Sequence, residues 1–106
     1  MSEIERREKT AREAIRQSLG TEAGELGIDL FASHHLEELP PSYWQQQVGT
    51  TKPTAAAIVD LLLLRGAWGE DDVENLDFTL PGDVTDYVVS VHFDAAGLVD
   101  GVSMES

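Results

Sequence analysis

The chain has no cysteine, which excludes disulfide frameworks, thiolate metal sites and cysteine nucleophiles together. Such usage fits a reducing compartment, and the expected location is the cytoplasm. Basic residues are scarce: seven Lys and Arg stand against 20 Asp and Glu, for a net charge of -13. None of the seven lies beyond Arg65, so residues 66–106 carry 10 acidic side chains and no basic one, whereas residues 1–65 balance at -3. A field of this sign repels nucleic acid and anionic lipid and speeds encounter with a basic protein. Neither nucleic acid nor membrane is therefore expected as a partner. Long hydrophobic runs are also missing. The longest, Ala55 to Leu64, is ten residues interrupted by Asp60, where a membrane span needs about 20. The opening Met1-Ser2-Glu3-Ile4-Glu5-Arg6-Arg7-Glu8 has no apolar stretch behind its charges, so it reads as something other than a secretory signal.

What is present suits an ordinary folded domain. The 106 residues are 42% apolar and 25% charged, a composition that buries one core without metal or disulfide. The expected fold is a single α+β domain over residues 1–106. It divides into a charged N-terminal helix at 3–19, a helical layer at 33–66, and a three-stranded antiparallel β-meander at 74–105 covered by helices on one face. In the first helix Ile4, Ala11, Ile15 and Leu19 form a narrow apolar stripe. Glu3–Arg7, Glu5–Lys9 and Glu8–Arg12 are i,i+4 pairs with the acid placed N-terminally, and Gly20 suits the end. The glycine-punctuated segment 20–32 reads as a loop anchored by Leu26, Ile28, Leu30 and Phe31. Ser33 is the expected cap of a short helix stopped by Pro40. Pro41 opens a second short helix, Ser42 to Val48, ending at Gly49 and presenting Tyr43 and Trp44 to the core. Thr51 is the expected cap of a third helix, apolar nearly all round, running to about Arg65 and closed by Gly66.

From Val73 the apolar period changes from helical to two. Leu76, Phe78 and Leu80 alternate with polar residues as far as the turn Pro81-Gly82. Tyr87, Val89, Val91 and Phe93 then line one face, with Val88, Ser90 and His92 on the other. Asp94-Ala95-Ala96-Gly97 is the expected hairpin loop. Leu98, Val102 and Met104 are assigned to the inner face of the last strand, and Val99, Gly101 and Ser103 to its outer face.

Candidate chemistry is sparse. His34-His35-Leu36-Glu37-Glu38 sets imidazoles and carboxylates three and four apart on a helix, the spacing of a metal-binding face. Only two ligands share a face, however, and the order is neither that of a di-iron bundle nor of a zinc protease. These four residues are weak metal candidates, and no cofactor is assigned. The carboxylates of Gly69-Glu70-Asp71-Asp72-Val73-Glu74 lack the ligand order of a calcium loop and read as an acidic linker. Ser33 precedes His34, but no Gly-x-Ser-x-Gly elbow is present, and the chain is read as a non-enzyme. The outer sheet face is the best binding surface: Ser90 and His92 upon it, bordered by Asp77, Asp86, Asp94 and Asp100.

The stretches Leu76-Asp77-Phe78-Thr79-Leu80-Pro81-Gly82, Tyr87-Val88-Val89-Ser90-Val91-His92-Phe93-Asp94 and Ser103-Met104-Glu105-Ser106, with His35-Leu36-Glu37-Glu38-Leu39-Pro40 and Tyr43-Trp44, carry a resemblance. Over roughly residues 33–106 the chain resembles small acidic bacterial proteins of unknown function, some of which sit among immunity proteins for polymorphic toxins. The resemblance implies a helix-plus-meander domain and carries over no catalytic residue. The expected function is an acidic protein-binding module whose partner is a basic protein. A metal-binding protein using the His34–Glu38 segment and a homo-oligomer joined through a strand edge are the alternatives, so the chain itself is expected as a monomer or a strand-edge homodimer.

Overall fold

A computed structural model describes residues 3–25, 27–69 and 74–105. Among them are four α-helices, a short 3-10 turn at Glu22–Gly24 and four strands. In chain order these are α1 (Glu3–Ser18), α2 (Ile28–Glu38), α3 (Pro41–Val48), α4 (Ala55–Leu61), β1 (Leu63–Trp68), β2 (Asn75–Thr79), β3 (Val88–Phe93) and β4 (Val99–Glu105). The sheet is antiparallel throughout, in the order β1-β2-β3-β4. The α+β class is as the sequence predicts, but the meander has four strands rather than three. No helix among the described residues is long and apolar enough to cross a membrane.

The extra strand corrects the reading of residues 51–66. The helix begins later, at Ala55, capped by Thr54 rather than Thr51, with the Thr54 hydroxyl accepting the Ala57 amide at 3.2 Å. It also ends sooner. Leu62 leaves the helix at ψ 138, and its side chain is buried while Leu63 and Leu64 begin to pair with Thr79 and Phe78. An apolar run longer than one helical face can bury is thus shared between a helix and a strand, and Gly66 lies within β1. Between Leu64 and Gly66 the register slips by one residue, leaving Arg65 as a bulge.

Segment 20–32 is also more ordered than its glycines suggest. The helix predicted from Ser33 starts at Ile28, so Ser33 is internal and its hydroxyl donates to the Leu30 carbonyl, 3.2 Å away. Ile28 and Phe31 are fully buried, whereas Leu30 is exposed; Leu26 lies outside the described residues. Gly24 is required by space. A Cβ there would stand 2.1 Å from the Ser18 carbonyl oxygen, so the 3-10 turn can press against the end of α1 only without a side chain.

The helices cover one face of the sheet. α1 packs on β2 and β4, α2 on β3 and β4, and α4 sits among α1, α2 and α3. The buried residues form one cluster that includes Ala11 and Ile15 of α1, Phe31, Trp44, Ile58, Leu62, and the inward-facing Leu76, Phe78, Val89, Val91 and Phe93 of the strands. The apolar stripe of α1 is thus seated as expected, and Glu3–Arg7 and Glu8–Arg12 form at 2.7 and 3.0 Å. Arg7 and Arg12 do more than pair. Each guanidinium lies 5.0 Å from a ring centroid, of Phe93 and Phe78 respectively, and Arg12 also donates to the Leu62 carbonyl at 2.8 Å. Their stems extend the apolar contact of a helix with few large hydrophobic residues. Arg16 pairs with Asp60 of α4.

Trp44 is buried, while Tyr43 is half-buried and donates to the Pro81 carbonyl at 2.7 Å. Both therefore cover the core from α3, and burial raises the Tyr43 pKa above the usual phenol value. The end of the meander brings one more correction. A second slip, between His92 and Phe93, pairs Phe93 with Val99 and leaves Asp100 unopposed. This turns Val99 toward the core and puts Leu98 in solvent at 64% exposure, the reverse of the assignment made from alternation alone.

Candidate binding face

The face of the sheet opposite the helices is built by the alternate residues of four strands. Pairing places Gly66, Asp77, Ser90 and Ser103 in one row across the strands, and Trp68, Asn75, His92 and Gly101 in the next. Val88 and Ser90 are buried, and together with Gly101 and Ser103 they make a floor of small residues. Longer side chains rise around it: Arg65 and Trp68 on β1, Asp77 on β2, Asp86 on the β2–β3 connection, and Glu105 on β4. The result is an open groove of about 670 Å³.

Of the six residues expected on a binding surface, Asp77, Asp86, Ser90 and His92 line this groove. Asp100 stands beside it, its carboxylate 3.3 Å from His92 Nδ1, while Glu74 lies 3.8 Å from His92 Nε2. An imidazole between two carboxylates adds a cation to this margin only when protonated. Asp94 lies apart from the groove. Its Oδ1 accepts the amides of Ala96 and Leu98 at 2.9 and 3.0 Å, so the carboxylate holds the β3–β4 hairpin loop in shape.

Asn75 and Glu105 also line the groove without having been assigned to it, and two further groove residues, both on β1, were not legible in the sequence. Trp68 is 53% exposed and donates through Nε1 to Asp77 Oδ2 at 3.1 Å. This bond fixes the indole as one wall of the groove and orients the Asp77 carboxylate beside it. Arg65, pushed out by the bulge, supplies the sole Lys or Arg among the groove residues. Both were hidden because β1 itself was read as the end of a helix. The bulge at Arg65 puts two residues rather than one between the inward-facing Leu64 and Ala67, so no period of two is readable there.

The metal candidates are separated by the helix that carries them. His35 is 1% exposed and faces the core. Its Nδ1 is 2.7 Å from the Phe31 carbonyl, which can only accept, so Nδ1 carries the proton and Nε2 accepts from the Thr85 hydroxyl at 2.9 Å. Loss of solvation lowers the His35 pKa below the usual value, a shift that the Phe31 bond and the nearby Glu38 oppose and His34 assists. With both nitrogens engaged, His35 is a structural link between α2 and the β2–β3 connection. His34 is half-buried against the ring of Tyr87, 5.1 Å between centroids, and Glu37 and Glu38 are exposed. Among the described residues no three His, Asp or Glu side chains are grouped as metal ligands. The acidic linker at 70–73 lies outside the described residues.

No family model matches this chain, and no curated protein and no solved structure matches it either.

Proposed function

We propose that this chain is a non-enzymatic protein-binding module that captures a basic protein on the outer face of its sheet. The observation that carries the reading is the charge of the groove. Asp77, Asp86 and Glu105 line it and Glu74 and Asp100 flank it, against one arginine. The floor of small residues lets a partner segment approach the strands, and the fixed indole of Trp68 offers both an apolar wall and a face for a cation. The specific form of the proposal is an immunity-like protein acting in the cytoplasm against a basic toxin domain.

The test compares two charge reversals that change the net charge by the same amount. Purified wild-type chain, an Asp86→Lys/Glu105→Lys variant and an Glu37→Lys/Glu38→Lys variant are each immobilised and offered lysate of the native host. The expected result is a basic protein retained by the wild type and by the helix variant, lost from the groove variant, and released steeply as salt rises. If the two variants behave alike, or salt has no effect, the groove is not the binding site.

A further inference from the structure

We propose that β1 is a dimer interface, joining two copies of this chain edge to edge into one eight-stranded antiparallel sheet. This inference goes beyond the partner reading and does not depend on it. The two edges of the sheet differ. β4 lies against α1, α2 and the 3-10 turn, whereas β1 packs closely only on β2 among the described residues. Its free side is therefore a row of backbone donors and acceptors suited to another strand. Edges of this kind are ordinarily blunted by charges or by a bulge; in a chain of net charge -13 the six residues Leu63-Leu64-Arg65-Gly66-Ala67-Trp68 contain no acid and a single base, Arg65, which sits in the bulge. They leave Leu63 and Trp68 52% and 53% exposed.

The strand is complementary to itself. An antiparallel twofold centred between Arg65 and Gly66 sets Leu63 opposite Trp68 of the second copy, Leu64 opposite Ala67, and Arg65 opposite Gly66. The bulge makes this register consistent. Because it shifts the alternation by one, Leu63 and Trp68 share the outer face while Leu64 and Ala67 share the inner one. Charge then completes the fit. Arg65 makes no ion pair among the described residues, the pairs of basic residues being those of Arg6, Arg7, Arg12 and Arg16. In the dimer each Arg65 faces Gly66 of the other copy, where the space over the Cα is open, and beyond Gly66 stands its cross-strand neighbour Asp77. Two strand spacings, about 10 Å, are within the combined reach of an extended arginine and an aspartate. A second copy is thus the occupant whose chemistry matches this edge.

The absence of cysteine makes the register directly testable. In a Leu63→Cys/Trp68→Cys variant the two thiols of facing copies are directly opposed, at a separation a disulfide can bridge. Mild oxidation should give a covalent dimer, while each single-cysteine variant should not crosslink comparably. In sedimentation, the wild type should shift with concentration from the 11.6 kDa chain mass to twice that value. Arg65→Glu should weaken association about tenfold or more by setting acid against acid, and Arg65→Glu/Asp77→Arg should restore it. A wild type that stays monomeric at all concentrations overturns the proposal, as does an Arg65→Glu variant that dimerises unchanged, or single-cysteine variants that crosslink as readily as the double one.

Discussion

Acidification from pH 8 to pH 5.5 should weaken this fold through one side chain, His35. In the folded chain its imidazole is 1% exposed, with Nδ1–H on the Phe31 carbonyl and Nε2 accepting from Thr85. That arrangement holds the neutral ring, and desolvation lowers its pKa. In the unfolded chain the ring titrates near its ordinary value of about 6.5. Between the two values the unfolded state binds more protons, so stability rises with pH there. The contribution is complete above about pH 6.5 and is lost as pH falls toward the folded value, at no more than about 1.4 kcal/mol per pH unit for one proton. His34, 5.0 Å away between ring centroids, and Glu38 act on the same ring in opposite senses.

The assay is urea unfolding followed by tryptophan fluorescence from pH 8 to pH 5, comparing wild type with His35→Gln. At pH 8 the variant should be less stable by about 1–3 kcal/mol, since the hydrogen bonds at Phe31 and Thr85 are imperfectly replaced. As pH falls the two curves should converge, because only the wild type loses the His35 contribution. Every other ionisable group is common to both proteins, so its effect largely cancels in the difference. A difference that stays constant over the whole range would refute the argument, as would direct observation of His35 titrating at or above its ordinary value.

Other substitutions probe the packing. Gly24→Ala should destabilise by about 1–3 kcal/mol or more, because the new methyl meets the Ser18 backbone rather than a yielding side chain; thermal unfolding reads this directly. Thr54→Ala should cost about 1 kcal/mol through loss of the cap on α4, while Thr51→Ala at the position expected from sequence should change the melting temperature little. Leu62→Ala should cost about 2–5 kcal/mol, and Leu62→Asp should leave no folded protein detectable by near-ultraviolet circular dichroism, since that side chain is 1% exposed at the junction of α4 and β1.

Sequence patterning revealed those elements whose apolar residues serve one face at a time. β2 and β3 alternate cleanly, α1 shows its stripe, and α3 is bracketed by Pro41 and Gly49, the latter left-handed at φ 78. β1 was illegible because Ala55 to Leu64 is apolar on every side, a property shared by a buried helix and by a helix passing into a strand. The bulge at Arg65 then erased the alternation that would have marked the change. The slip beside Phe93 did the same for Val99 and Leu98. The glycines of 20–32 suggested freedom, whereas Gly24 answers to a neighbour distant from it in space only by atomic radii. For the binding face, Asp77, Ser90 and His92 followed from the period of two, but Trp68 and Arg65 depended on the unseen strand. Helical spacing put His34 and His35 with the acids without saying that His35 turns to the core.

The seating of α1 on the inner side of the sheet has a further consequence. Five of the seven cations, Arg6, Arg7, Lys9, Arg12 and Arg16, are carried on that helix among four acids, while the opposite face presents a surplus of carboxylates. The molecule is therefore an electric dipole as well as an anion. In the field of a positively charged surface it experiences a torque before any contact, and it rotates to arrive sheet-first. Exchanging the basic residues of α1 for neutral ones would deepen the net charge yet blunt that alignment, so attraction and orientation are separable properties of this chain.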